Sequence, residues 1–169
     1  MKRPIVGITM GDPAGSGPEI TIKALSDRSI YERCRPLVVG DAKMLEQAKQ
    51  FVGHPEITIR PVTNIEDAKF EYGTIDVYHL DLIKDVKAFK LGTVSKEGGR
   101  SAFESVRTVI ELAMEGKVDA TVTNALNKEA MNLALADEGK HFDGHTEIYA
   151  TYTNTKKYKI GRASCRERV

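Results

Sequence analysis

The chain has no tryptophan and only two cysteines, Cys34 and Cys165, in 169 residues. So few thiols exclude a disulfide-stapled scaffold and a cysteine-rich zinc module. Charge of one sign is not in excess either: 25 basic residues face 24 acidic ones. That balance argues against nucleic acid or an anionic membrane surface as a partner. Apolar runs are far too short to span a bilayer. Met1-Lys2-Arg3 leads directly into a strand-like run, with none of the apolar core of a signal peptide. These features point to a reducing, cytoplasmic setting. No internal repeat and no low-complexity linker is present.

The last ten residues, Ile160 to Val169, read IGRASCRERV and break the pattern of the rest. They back-translate to ATC GGA AGA GCG TCG TGT AGG GAA AGA GTG, which resembles a common sequencing adapter. Residues 160–169 are therefore read as a non-native, adapter-derived tail, with a genuine basic tail as the competing reading. On the first reading the natural protein continues past Lys159, and residues 1–159 are an N-terminal fragment. Setting the tail aside removes three arginines and one glutamate, so the net charge of +1 becomes −1, and Cys34 is the one cysteine left.

What is present is an alternation. Strand-like runs are expected at Ile5–Met10, Leu37–Gly40, Ile57–Arg60, Thr74–His79 and Ala120–Thr123. Helical patterns are expected at Pro18–Ser26, Ala42–Phe51, Lys96–Glu115, Lys128–Asp137 and Thr146–Thr153. In the longest of these, Phe103, Val106, Ile110 and Ala113 share one face, opposite Arg100, Glu104, Arg107 and Glu111. Alternating strands and helices predict an α/β fold, a mostly parallel sheet with flanking helices. The stretch Ile83–Lys96, with mixed charge and weak periodicity, reads as a surface excursion.

Three motifs carry the chemistry. The first, Gly11-Asp-Pro-Ala-Gly-Ser-Gly-Pro-Glu19, joins the first strand to the first helix. Three glycines and two prolines in nine residues make a shaped loop, where backbone amides and a helix N-terminus can face an anion or substrate. It is not a Walker A loop, since Gly17-Pro18-Glu19 stands where Gly-Lys-Ser/Thr is required. Nor is it a Rossmann fingerprint, because Ile20 occupies the place of the third glycine. Gly11, Asp12, Gly15 and Gly17 are its candidate site residues. The second motif, Thr123-Asn-Ala-Leu-Asn-Lys128, follows an expected strand end, the edge at which open α/β sheets bind ligands. There Asn127 can cap the next helix and Lys128 can project over the crevice; a capped helix with a solvated lysine is the plainer alternative.

The third motif, Asp143-Gly-His-Thr-Glu147, places the imidazole of His145 and the hydroxyl of Thr146 beside an expected helix start, able to hold a phosphate or carboxylate. The alternative is Thr146 as a simple N-cap with His145 exposed. His141 and His145 have the spacing of a helical metal pair, but Gly144 argues against one helix spanning both, and no third ligand is evident. His54 reads as a surface turn residue and His79 as a strand-end residue.

In this order, ITMGDPAGSGPEI (Ile8 to Ile20), TNALNKEAM (Thr123 to Met131) and DGHTE (Asp143 to Glu147) resemble the 4-hydroxythreonine-4-phosphate dehydrogenase family, including its branch acting on D-threonate or D-erythronate 4-phosphate. The resemblance spans residues 3 to 159. Ser16 departs from the family's usual isoleucine, and Asn124-Ala125 stand where many members have a small residue and proline. Leu126–Ala130 and Ile148–Thr151 look closer to the sugar-acid branch.

The resemblance implies an isocitrate/isopropylmalate dehydrogenase-like fold, here truncated: residues 1–159 would be the N-terminal part of a two-subdomain enzyme that works as a homodimer. It implies NAD and a divalent metal (zinc, magnesium or cobalt) as cofactors. The substrate would be a small phosphorylated hydroxy acid, contacted by His145 and Thr146 near its phosphate. The implied reaction is oxidation of a secondary alcohol with hydride transfer to NAD, then loss of carbon dioxide, the metal acting as Lewis acid. A threonate-type 4-phosphate would yield dihydroxyacetone phosphate. The family's metal-binding histidines come later in the chain, so no metal ligand is expected in this fragment, which is expected to be inactive alone. No catalytic residue is assigned. The competing class is a phosphate-ligand-binding module without redox chemistry.

Overall fold

The computed structural model describes residues 3–158. The tail read as adapter-derived, 160–169, lies outside the described residues. Five strands form one parallel sheet: β1 (Ile5–Thr9), β2 (Arg35–Gly40), β3 (Thr58–Val62), β4 (Thr74–His79) and β5 (Ala120–Val122), in the order β3-β4-β2-β1-β5. All four ladders are parallel, with Ile5 opposite Arg35 on one side of β1 and Val6 opposite Ala120 on the other. Every strand therefore ends on the same edge.

Among the described residues six α-helices cover the sheet: α1 (Gly17–Leu25), α2 (Arg28–Arg33), α3 (Ala42–Val52), α4 (Lys96–Met114), α5 (Lys128–Leu135) and α6 (His145–Tyr152). Strand alternation divides the core in two. On β2, Val38 faces a cluster with Ile22, Leu45, Ile75 and Val77 under α1 and α3. Its neighbours Leu37 and Val39 face Phe103, Val106, Ile110, Met131 and Ile148 under α4, α5 and α6. β2 is buried on both faces, as its unbroken run Pro36–Val39 demands.

The expected alternation holds within a residue or two, except at α2, which was not anticipated. Six residues are too few to display a helical period. Asp27, whose carboxylate accepts from Ser29 N at 2.8 Å, was the available start signal. The stretch 83–95 is irregular, as expected, but it is more than a surface excursion. Ile83 and Phe89 are buried, and Gly92 N donates to Ala14 O at 2.8 Å, so the segment is a wall of the opening loop.

On α4, Phe103, Val106 and Ile110 are buried, while Arg107 pairs with Glu104 and Glu111 on the outer face. Gly99 lets α4 and α5 cross closely: a Cβ there would lie 1.9 Å from Ala130 O.

Candidate functional site

β1 and β5 are neighbours, yet α1 leaves β1 toward one face and α5 leaves β5 toward the other. That divergence opens a crevice at the strand ends, the ordinary ligand position of an open parallel sheet. The first two motifs meet there. Gly11 takes a left-handed φ of 79°, and a Cβ on it would lie 2.5 Å from Ala125 O; Asp12 N donates to that same carbonyl at 3.0 Å. Gly17 is equally constrained, since a Cβ there would lie 2.2 Å from Met10 O. Only glycine permits these approaches.

Asn124 joins the two loops. Its N–H donates to Thr9 Oγ1 at 3.0 Å, and its side-chain amide donates to Thr9 O at 2.9 Å and to Thr21 Oγ1 at 2.8 Å. Thr9 and Thr21 are both buried, so these bonds satisfy polar groups that water cannot reach. This junction was missed in the sequence, where Asn124 stood out only as a departure from the family pattern. A threonine closing an apolar strand and an asparagine just past another were the available signals.

Several amides of the loop are bonded within the protein. Ala14 N donates to Asp12 Oδ1 at 2.8 Å, Gly15 N to Asp12 O at 3.0 Å, and Asp12 N to Ala125 O. Three of its amides are thus occupied within the protein. Asp12 is buried, and burial pushes its carboxyl up, opposed by the Ala14 N–H. Gly98, in the first turn of α4, leaves room for it: a Cβ there would lie 3.1 Å from Asp12 Oδ1. Asp12, Gly15, Ser16, Thr93, Val94, Leu126 and Asn127 line a cleft of about 320 Å3.

The third motif meets the second. α6 begins at His145, with Gly144 as its N-cap, so Thr146 is not the cap; it sits half-buried as the second helical residue. Space for a Cβ on Gly144 would be bounded by Lys128 Cε and Nζ at 3.7 and 3.9 Å and by Glu147 Oε2 at 3.8 Å, which brings the second and third motifs together and sets a carboxylate beside the ammonium. His145 is half-buried, and its Nε2 is buried without a hydrogen-bond partner. Burial lowers its basicity, the hydrogen-bonded backbone of Asn124 opposes this, and the Lys128 ammonium adds to the lowering. Asn127 caps α5 as expected, Oδ1 accepting from Ala130 N at 3.0 Å.

The other histidines lie elsewhere. His54 contacts Glu56 on the surface, and His141 contacts Asp143 without sharing a helix with His145. His79, at the end of β4, accepts from Ala42 N through Nδ1 at 3.1 Å. Among the described residues, no group of three or more His, Cys, Asp or Glu side chains could hold a metal ion. No described helix is long and apolar enough to cross a membrane.

Residues 32–161 match the family described as pyridoxal phosphate biosynthetic protein PdxA. The chain belongs to the PdxA family. A protein of Halalkalibacterium halodurans named "Putative D-threonate 4-phosphate dehydrogenase" is 44% identical over 155 residues, 92% of this chain and 45% of its own length. One of the same name from Oceanobacillus iheyensis is 43% identical over 168 residues, 99% of this chain and 49% of that protein. A crystal structure of a 4-hydroxythreonine-4-phosphate dehydrogenase from Burkholderia phymatum superposes with a TM-score of 0.83 and 43% identity, over 93% of this chain and 46% of that one. The chain thus spans about half the length of these PdxA relatives, and its parallel α/β architecture is theirs.

Proposed function

We propose that this chain carries the substrate-phosphate side of the active site of a dehydrogenase acting on a four-carbon hydroxy acid 4-phosphate. The observation that carries the reading is the unpartnered Nε2 of His145, buried beside Lys128 at the start of α6, where the second and third motifs meet. A buried polar atom without a partner is costly unless a ligand or water supplies one. An imidazole, an ammonium and a helix N-terminus together suit a dianionic phosphate. The names of the relatives supply the substrate class and the dehydrogenase chemistry.

In this reading the full-length protein is a cytoplasmic homodimer in which NAD and a divalent metal, when bound, would supply the redox and Lewis-acid chemistry for oxidation of the secondary alcohol and loss of carbon dioxide. The described residues do not fit that metal, since no cluster of suitable ligands exists among them. At the opening loop the Asp12, Ala14 and Gly15 amides are already bonded within the protein. The role of this chain is therefore positional. His145 takes up a proton from solvent on binding and, as imidazolium, donates through Nε2 to a phosphate oxygen. Lys128 adds a point charge, and Thr146 offers a hydroxyl in the same helical turn. Asn124 holds the loops that carry these groups against each other, fixing the register of the substrate.

Isothermal titration of the chain with D-threonate 4-phosphate and with unphosphorylated D-threonate tests this. Binding that requires the phosphate and is weakened roughly tenfold or more by His145→Ala supports the reading. Equal affinity for both ligands removes it.

A further inference from the structure

Asn127 does two things at once. Its side chain caps α5 and its residue lines the cleft beside Asp12. The cap fixes which way the amide points. Only the carbonyl oxygen can accept from Ala130 N, at 3.0 Å, so Oδ1 is turned toward the helix and Nδ2 is the free end. Asn127 is exposed on the cleft side. It therefore offers two unengaged N–H donors to whatever enters, while Oδ1 already accepts from the helix.

We propose that Asn127 is a specificity-determining residue, which selects a ligand bearing a hydroxyl or other oxygen acceptor next to the carboxylate and rejects one bearing an ammonium there. This rests on the phosphate-site reading above. A hydroxyl oxygen can accept from Nδ2–H. An ammonium has only donors, so it meets Nδ2 donor to donor, with an added charge close to Lys128, the next residue in the chain. Polar mismatches of this kind give larger discrimination than apolar ones, because the unmatched groups are left without partners. Asp12, on the same cleft, is the one carboxylate that could offset this for an amino ligand. Its Oδ1 already accepts from Ala14 N, and its burial opposes the charged form. The two ligand classes correspond to the names carried by the relatives, D-threonate 4-phosphate and 4-hydroxythreonine 4-phosphate.

The test is Asn127→Asp. Aspartate caps a helix as well as asparagine does, so α5 is kept while the free donors become acceptors. Affinities of both phosphorylated ligands are measured by titration calorimetry for the unaltered and variant chains. The proposal expects the unaltered chain to favour the hydroxy acid, and the ratio of the two affinities to move toward the amino ligand by about tenfold or more in the variant. Asn127→Ser, which keeps a capping oxygen and restores a hydroxyl donor, should recover part of the preference. If both ligands bind and the ratio is unmoved by Asn127→Asp, Asn127 is not the selector and the phosphate site stands. If the unaltered chain favours the amino ligand, the assignment is likewise wrong. Binding of neither ligand overturns the phosphate-site reading and this proposal with it.

Discussion

His145 is the residue on which the account turns. Its basicity is lowered first by burial and then by Lys128, against the opposing hydrogen bond that the ring makes to the Asn124 backbone. Folding therefore favours the neutral ring. The corresponding stability is fully present above the ordinary histidine value and is lost as pH falls through that value toward the lowered one. A phosphate bound at Nε2 would reverse the preference, because an anion there favours imidazolium. An NMR titration of the His145 ring should thus show a midpoint below that of a free histidine, about 6.5, and an upward displacement when a phosphorylated ligand is present. A midpoint that phosphate leaves in place would separate the ring from the ligand. Asn124→Ala should destabilise the fold by about 1–3 kcal/mol, since it leaves Thr9 O buried without its donor. Chemical denaturation checks this, and a loss below about 0.5 kcal/mol would mean that the junction is not structural.

At the scale of elements, the site is a set of helix starts placed by short loops after parallel strands. α5 is capped by Asn127, α4 by Ser95 through Gly98 N at 3.1 Å, and α3 by Asp41 through Lys43 N at 3.0 Å. Most of this was legible. Proline and glutamate opening α1, asparagine before α5 and glycine before α6 are local signals, read without tertiary context. The direction of the loop amides was not legible, because it depends on Ala125 O and the Asp12 side chain, partners that sequence spacing does not reveal. The short α2 and the anchoring of 83–95 by Ile83 and Phe89 were hidden for the same reason: their apolar residues are few, and their burial is decided by what the sheet brings near. Gly99 sets how closely α4 meets α5. Gly99→Ala should force the two helices apart, at a cost of about 1–3 kcal/mol, and displace Asn127 and Lys128 with α5. Thermal denaturation and ligand titration on this variant check both effects; unchanged melting would show that the crossing can relax.

For the whole molecule, the order β3-β4-β2-β1-β5 decides function more than any single motif. It makes β1 and β5 neighbours although more than a hundred residues separate them in sequence. The alternation of strands and helices predicted a parallel sheet, and family resemblance predicted its kind. Strand order could not be read from periodicity, which reports faces and not neighbours. The order brings the loops after β1 and β5 into contact through Asn124 and Ala125, and α6 then delivers His145 to the same edge. The central claim is that this edge is a phosphate site. The most direct measurement is a two-dimensional amide NMR titration of the chain with D-threonate 4-phosphate, run beside unphosphorylated D-threonate. Saturable shifts are expected at Asn124, Asn127, Lys128, His145 and Thr146 with the phosphorylated ligand and none there with the other. Saturable shifts centred away from the β1–β5 edge, or no shifts at all, would contradict it.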